Sequence, residues 1–249
     1  LKELKMTANP MHQFEVYKIG PEINLGGINL SYTNSSLFMS ISAILILTLL
    51  FFGTKKKSLI PSKIQLITEM SYTFVAKMIN DTAGSNAKSF FPFVFTLFMF
   101  VLFCNMVGML PYSFTVTSHI IVTFILASIV FVGVTVIGFI KHGIKYLELF
   151  VPKGVPVILL PLIVVIEIIS YLSRPISLSV RLFANMMAGH TMLKVFGGFV
   201  ISLGLLGGWL PLGFSVALTG LEILVAFLQA YVFAILTCIY LNDALNLHH

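Results

Sequence analysis

Long apolar runs alternate with short charged stretches along most of the chain. One run covers residues 36–53 and stops at the lysines of residues 55–57, and a second apolar region, residues 89–140, stops at Lys141 and Lys145. About 20 apolar residues are enough for a helix to cross a bilayer. The pattern predicts one span at 36–53 and a helical hairpin at 89–140. Because the lysines cluster at the same side of these spans, we expect that side to be the inner one.

The segment between these regions, residues 58–83, has a different pattern. Its apolar positions recur at steps of three or four, at Ile60, Ile64, Ile67, Phe74 and Met78. The charged side chains fall off that stripe: Lys63, Glu69 and Lys77. This periodicity predicts an amphipathic helix lying on the inner membrane surface. A helix that packs against a soluble partner has the same periodicity, and this alternative stays open.

The last ninety or so residues do not form ordinary spans. Residues 158–201 are apolar over about 44 positions, which as one helix would measure about 66 Å against a hydrocarbon core of about 30 Å. Such a helix either breaks at Pro175 or runs steeply tilted. A turn at residues 207–211 precedes another long apolar run, residues 212–241. We therefore predict a hairpin of two overlong, tilted helices over residues 156–243.

Composition agrees with a membrane protein and excludes several other classes. The chain is 58% hydrophobic and 10% charged, with a mean hydropathy of +1.01, whereas soluble domains carry about 25% charged residues. We predict an all-α integral membrane protein with a single membrane domain, residues 1–249, that begins with a polar arm, residues 1–30. The chain starts with Leu1, so we expect that a preceding segment was removed or left out.

The net charge of +6 does not indicate nucleic-acid binding, because the basic residues gather between hydrophobic runs. The two cysteines, Cys104 and Cys238, lie in separate apolar segments. They offer neither a disulfide framework nor metal-ligand spacing. We expect both to be packing residues, and we expect no metal and no cofactor.

The chain has only two arginines, and both lie within the 158–201 run: Arg174 and Arg181. A guanidinium cannot lose its proton to escape an apolar environment. Placing it near a bilayer centre costs about 2.5–3.5 kcal/mol even on the most lenient scale. We therefore predict that Arg181 is functional. A structural cation paired with a carboxylate is the alternative.

Helical geometry arranges the other polar residues around Arg181. Asn185 is four residues on and shares its face; Glu167 lies near the same face but about 21 Å away along the axis; His190 points to roughly the opposite side. On the second long helix, Glu222 and Gln229 share a face, and Asp243 follows at the helix end.

Titratable groups in membranes commonly form proton relays, so these side chains are candidates for proton translocation. The alternatives are structural. Glu167 could extend to the inner interface, His190 could be a hydrogen-bonded packing residue, and Asn185 and Gln229 could bridge helices at about half a kcal/mol each.

Several motifs together resemble one family. Residues 173–190, SRPISLSVRLFANMMAGH, look like the signature of subunit a of the F-type ATP synthase. Residues 228–233, LQAYVF, resemble the family's last-helix motif, and residues 105–111, NMVGMLP, resemble the end of its second span. Residues 10–15, PMHQFE, are also similar to the family. The motifs occur in the family's order over essentially the whole chain.

The resemblance implies a role for each candidate. Arg181 would face the rotating ring of c subunits, beside Asn185 and Gln229. His190 and Glu222 would line an outer aqueous half-channel, and Glu167, with Asp243, an inner one.

The implied partners are a ring carboxylate facing Arg181, peripheral-stalk and other membrane-sector subunits, and lipid, with no nucleic acid. The chain itself would be non-catalytic. The order of His190 and Glu222 resembles the mitochondrial arrangement, which implies the mitochondrial inner membrane; the bacterial plasma membrane is the alternative.

Two other classes remain open on the sequence alone. An ion-coupled secondary transporter could use Arg181 to bind an anionic solute, but it should show paired broken helices, and none is evident. A purely structural membrane subunit would not need a permanent cation among titratable groups.

Overall fold

A computed structural model describes residues 14–20, 24–25, 28–29, 31–55, 61–110, 113–151 and 159–246. These contain six α-helices. Their bounds are Asn34–Lys55 (α1), Lys63–Ala83 (α2), Phe91–Gly108 (α3), Ile120–His142 (α4), Leu160–Gly207 (α5) and Trp209–Leu245 (α6). Two short strands, Asn24–Leu25 (β1) and Ile28–Asn29 (β2), pair antiparallel in the N-terminal arm. That ladder is the one sheet among the described residues.

Five helical segments are long and apolar enough to cross a membrane. They are Asn34–Lys55, Ala87–Gly108, Ile120–Leu147, Leu160–Gly204 and Trp209–Leu245. Because a helix satisfies its own backbone hydrogen bonds, it is the natural form for such sequences in lipid. The prediction of an all-α integral membrane protein is confirmed.

Helix α2 begins at a regular cap and uses only one side for packing. The Ser62 hydroxyl accepts a hydrogen bond from the Gln65 N–H at 3.4 Å, as N-terminal capping residues do. Val75 and Ile79 are buried, whereas Ile64 and Ile67, members of the predicted stripe, are exposed. The chain itself therefore leaves the first part of the stripe uncovered. Its contact with the membrane surface stays a prediction.

The predicted hairpin contains two helices with short 3₁₀ turns beside them. A turn at Ser85–Phe90 precedes α3, and another at Val116–Ser118 precedes α4. A third, Gly143–Phe150, follows α4 and carries Lys145. Pro111, predicted to end the first arm of the hairpin, lies outside the described residues, as do Lys56, Lys57 and Lys153.

The longest helix does not break where proline made a break possible. Helix α5 has 48 residues and continues through Pro175; its one non-helical residue is Gly204, with φ 62° and ψ −160°. Proline removes one backbone donor, which long helices in membranes tolerate, whereas a positive φ suits glycine. The alternative of a break at Pro175 is therefore wrong. A helix of this length is longer than the hydrocarbon core of a bilayer is thick. If the whole helix is embedded, it must therefore be tilted.

Contacts group the chain into two compact units. Unit 1 contains residues 1–51, 99–119 and 182–230. Within it, Leu182, Met186, Ala226 and Ala230 are buried. Small residues let helix backbones approach closely, which is how helices associate in membranes.

Unit 2 contains residues 52–98, 120–181 and 231–249. Its interior is richer in aromatic rings: Phe74 lies 5.6 Å from Phe98 and 5.7 Å from Tyr231 between ring centroids. Tyr146 and Phe233 are fully buried. The assignment of the whole chain to one membrane domain stays a prediction.

Candidate proton-translocation site

Unit 1 brings two of the predicted titratable residues together. His190 Nδ1 lies 3.3 Å from Glu222 Oε1, and the two side chains are 11% and 5% exposed. Neither carboxylate oxygen of Glu222 has a hydrogen-bond donor among the described residues. A buried carboxylate without donors is costly. This pair is therefore suited to hold one proton, either on the carboxyl group or on the ring.

A glycine provides the space for this acid. A Cβ atom at Gly189 would lie 2.8 Å from Glu222 Oε1 and 3.1 Å from its Cδ. Both distances are shorter than an ordinary van der Waals contact, so any side chain at this position would displace the carboxyl group. Gly189 directly precedes His190 on α5, and the close approach of the two helices therefore follows from the local sequence.

The other nitrogen of the His190 ring also has a partner. Thr115 Oγ1 lies 3.0 Å from His190 Nε2 and 3.2 Å from the carbonyl oxygen of Gly108, at the end of α3. Thr115 is buried. It was absent from the candidates chosen from the sequence. Because 75 residues separate it from His190, no local pattern could have connected them.

A second predicted pair also forms within unit 1. The Asn185 side-chain amide donates to Gln229 Oε1 at 2.9 Å. Gln229 is buried, and its own Nε2 has no acceptor among the described residues. Asn185 is exposed. The pair joins α5 to α6 while leaving part of its hydrogen-bonding capacity unused.

Asn105 forms a further buried network in unit 1. Its side-chain amide donates to the Ala226 carbonyl oxygen at 3.2 Å, and its own side-chain oxygen accepts from Thr117 Oγ1 at 2.8 Å. Ala226 is one turn from Glu222 on α6. The network ties α3 and the following turn to the part of α6 that carries the acid.

Asp243 is held by the chain's other arginine. Arg174 Nη1 lies 3.1 Å from Asp243 Oδ2 in unit 2. The guanidinium carbon also lies 5.3 Å from the Tyr171 ring centroid and 5.0 Å from that of Tyr240, within the range of cation–π attraction. Among the described residues, Asp243 is therefore the charged partner of Arg174.

Three hydroxyl groups form a hydrogen-bonded row near this ion pair. The Tyr171 hydroxyl lies 3.0 Å from that of Tyr146 and 2.7 Å from Thr135 Oγ1. The two tyrosines and the ion pair also line a small cavity, whose lining residues are Phe131, Val134, Tyr146, Tyr171, Arg174, Tyr240 and Asp243. The arrangement is a polar network in an otherwise apolar helical unit.

Arg181 and Glu167 differ from these residues, because neither has a charged partner among the residues that the structure describes. Arg181 is exposed and Glu167 is half-buried. The alternative that Arg181 is a structural cation paired with a carboxylate of this chain therefore receives no support.

His119 and the two cysteines have structural surroundings. His119 stacks on Phe114 with ring centroids 4.9 Å apart, and burial lowers the pKa of His119 below its ordinary value. Cys104 and Cys238 are buried and free. Among the described residues, no group of three histidine, cysteine or acidic side chains could hold a metal ion. His248 and His249 lie outside them.

Residues 36–242 match the family model described as ATP synthase A chain. The chain is 78% identical to an ATP synthase subunit a of Pelagibacter ubique over 244 residues, which is 98% of this chain and 100% of the relative. It is 60% identical over 250 residues to the protein of that name from Chelativorans sp., covering 98% and 100% of the two chains. The Rhizobium rhizogenes protein is 61% identical over 247 residues, covering 97% and 98%.

The match extends over most of the chain and, in these relatives, nearly from end to end. It displaces the transporter and the purely structural alternatives. The chain belongs to the ATP synthase A chain family and is a proton-translocating stator subunit of the membrane sector of a complex that makes ATP.

Proposed function

We propose that this chain provides two offset aqueous half-channels to a rotating c-ring and that Arg181 separates them. The observation that carries the proposal is the exposure of Arg181 on α5 together with its lack of an ion pair among the described residues. Its neighbour Val180 and the residue one turn before, Ile176, are 42% and 53% exposed. A permanent cation on an apolar, uncovered helix face needs an anion from another chain.

A ring carboxylate meets that need. In lipid the carboxyl group stays neutral because ionising it there is too costly. Opposite a guanidinium the charged form is favoured, so the proton leaves to one half-channel and the next site is loaded from the other. Because Arg181 keeps its charge at all accessible pH values, it blocks a direct proton path. Each charge crossing the membrane delivers about 2.3 kcal/mol per 100 mV.

His190 and Glu222 are the proposed relay of the outer half-channel. Their 3.3 Å separation and their burial support this role, because a neighbouring acid and imidazole can exchange a proton without large movement. Asn185 and Gln229 are proposed to orient the region facing the ring.

Glu167 and Asp243 are proposed for the inner half-channel. The Arg174–Asp243 pair, which the sequence did not predict, changes the role that we expect for Asp243. Because the charge of Asp243 is compensated by a cation that cannot be deprotonated, Asp243 is poorly suited to take up a proton. Glu167, with no ion pair among the described residues, is the better proton acceptor of the two.

The proposed partners are the ring carboxylate and the peripheral-stalk subunits, with the hairpin of residues 156–243 facing the rotor. We propose that the chain forms no covalent intermediate and is non-catalytic. The matched relatives are bacterial. They support the alternative location, the bacterial plasma membrane, and the predicted mitochondrial inner membrane receives no support from them.

The test replaces Arg181 by Ala and by Lys in the complete complex, reconstituted in vesicles, and measures ATP synthesis driven by a proton gradient. We expect Arg181→Ala to abolish coupled synthesis, and Arg181→Lys to impair it strongly because an ammonium lacks the fixed planar fork. The matched control is Lys77→Ala, which removes an exposed cation from α2. Robust coupled synthesis in Arg181→Ala would contradict the proposal.

A further inference from the structure

We propose that Thr115 is a positioning residue that fixes the tautomer of His190, so that Nε2 carries the ring proton and Nδ1 alone exchanges protons with Glu222. The inference rests on the proposed function of the His190–Glu222 pair. It extends that function to Thr115, which lies in the connection between α3 and α4. It follows from the number of hydrogen atoms available around the Gly108 carbonyl group.

The Gly108 carbonyl group lies at the end of α3, where backbone acceptors lose their partners within the helix. Two hydroxyl groups approach its oxygen: Ser113 Oγ at 2.8 Å and Thr115 Oγ1 at 3.2 Å. Ser113 Oγ also lies 2.7 Å from the Leu110 carbonyl oxygen, which already accepts from the Ser113 backbone N–H at 3.1 Å. A carbonyl oxygen has two lone pairs and only accepts, so the Gly108 oxygen can take the hydrogens of both hydroxyl groups. The contact between Thr115 and Gly108 is a hydrogen bond only when Thr115 uses its single hydrogen there.

With its hydrogen directed to Gly108, Thr115 can meet His190 only as an acceptor. A neutral imidazole carries one N–H, and the partner of one nitrogen decides which nitrogen holds it. The 3.0 Å contact between Thr115 Oγ1 and His190 Nε2 is then an Nε2–H···O hydrogen bond. Nδ1 is then unprotonated and lies 3.3 Å from Glu222 Oε1.

The geometry at Glu222 agrees with this assignment. The two atoms are within ion-pair distance but do not form a hydrogen bond, so Nδ1 needs no proton here, and proton transfer requires the Glu222 carboxyl group to turn toward the ring. A proton held on the Glu222 carboxyl group can pass to Nδ1, which forms an N–H bond as the O–H bond breaks and gives a carboxylate beside an imidazolium. The reverse transfer restores both groups.

Thr115 reaches this position because residue 108 is glycine. A Cβ atom at Gly108 would lie 2.8 Å from Thr115 Cγ2 and 3.2 Å from its Cα. Any side chain there would therefore press on the threonine backbone. Thr115 is 4% exposed, so water does not freely replace its hydroxyl group. Together these contacts make the Thr115 hydroxyl a fixed part of the relay.

The tautomer can be measured directly. The chain is labelled with ¹⁵N-histidine, assembled into the complete complex and reconstituted in vesicles, and the ring nitrogens are observed by solid-state NMR at a pH where His190 is neutral. The His190 signals are assigned by their loss in His190→Gln. We expect a protonated Nε2 and an unprotonated Nδ1. A protonated Nδ1 with an unprotonated Nε2 would overturn the proposal.

Two substitutions separate the hydroxyl from the shape of the side chain. Thr115→Val removes the hydroxyl and keeps the volume; Thr115→Ser keeps the hydroxyl. We expect Thr115→Val to lose the single tautomer and to slow proton-driven ATP synthesis about fivefold, equivalent to one hydrogen bond. We expect Thr115→Ser to restore both. The matched control is Thr96→Val, since the Thr96 hydroxyl bonds only within its own helix, to Pro92.

The outcomes are distinct from those of the proposed function. The tautomer is observed without turnover. The NMR result can therefore contradict the tautomer assignment while the Arg181 variants support the proposed function, or support the assignment while the Arg181 variants contradict that function. An unchanged tautomer in Thr115→Val would contradict the positioning role, as would an unchanged synthesis rate with an altered tautomer.

Discussion

In each of the two units the described residues include a close pair of a basic and an acidic side chain, and these two pairs differ in their capacity to move a proton. In unit 1, His190 and Glu222 are both nearly buried and are 3.3 Å apart. In unit 2, Arg174 and Asp243 are 3.1 Å apart, with 24% and 32% of their side chains exposed. Histidine gains and loses a proton near neutral pH, whereas arginine does not.

The surroundings strengthen the contrast. The carboxyl group of Glu222 has no hydrogen-bond donor among the described residues, so its charge is unsupported and its proton is exchangeable. The guanidinium of Arg174 lies against two tyrosine rings, and these contacts and the carboxylate keep it in place. The missing hydrogen bonds of Glu222 support the proposed relay role of the His190–Glu222 pair. The ring contacts of Arg174 support a fixed, non-titrating role for the Arg174–Asp243 pair.

The strongest test of this contrast removes the proton from the unit 1 pair. Glu222→Gln keeps the shape of the side chain but cannot exchange a proton. We expect proton-driven ATP synthesis to fall about 100-fold, a typical contribution of a positioned acid–base group, while the complex still assembles. ATP synthesis by vesicles and the subunit composition of the purified complex measure the two effects. The matched control is Glu69→Gln on α2, and unchanged synthesis across a range of pH in Glu222→Gln would exclude a relay role.

A smaller effect is expected from moving the acid without removing it. Gly189→Ala places a methyl group where the Glu222 carboxyl group lies, at 2.8 Å from Oε1. Because that group is the end of a flexible side chain, it can shift while the helices stay packed. We expect synthesis to fall about tenfold, since proton transfer depends on donor–acceptor distance.

Gly133→Ala is the control for that substitution, because nothing lies within 4 Å of the added Cβ atom. Alanine is also the better helix former, by about 1 kcal/mol, so this variant should be at least as stable as the parent. Equal synthesis rates in the two glycine variants would show that the close approach at Gly189 has no functional importance.

The smallest effect is expected in unit 2. Arg174→Gln and Asp243→Asn, singly and together, form a double-mutant cycle on the thermal unfolding of the purified complex. We expect a coupling energy of about 1 kcal/mol, the upper range for partly exposed ion pairs, and a smaller value at high salt. A coupling energy of zero at low salt would mean that the tyrosine rings alone hold Arg174.

Much of the fold could be predicted because the responsible signals are local. Apolar runs of sufficient length define the spans, and the periodicity of residues 58–83 defines α2. Pro175 shows the limit of local signals: its ring allows a helix to break but does not require it, and the structure keeps α5 helical through this buried residue.

The candidate site was only partly predictable. Sequence motifs selected His190, Glu222, Asn185 and Gln229, and the structure places them in two pairs. The partner of Asp243 was not predicted, because Arg174 is 69 residues away in the sequence. Contacts between distant residues depend on how helices pack, and helical periodicity describes only one helix at a time.

The sequence by itself determined that the chain is helical, that it belongs in a membrane, and that the charges within its last two apolar runs are few. These properties follow from composition and from patterns within single segments. The tertiary structure decided which charges meet. It paired Arg174 with Asp243 and left Arg181 without an ion pair among the described residues, because the approach of two helices depends on small side chains and glycines from separate parts of the chain.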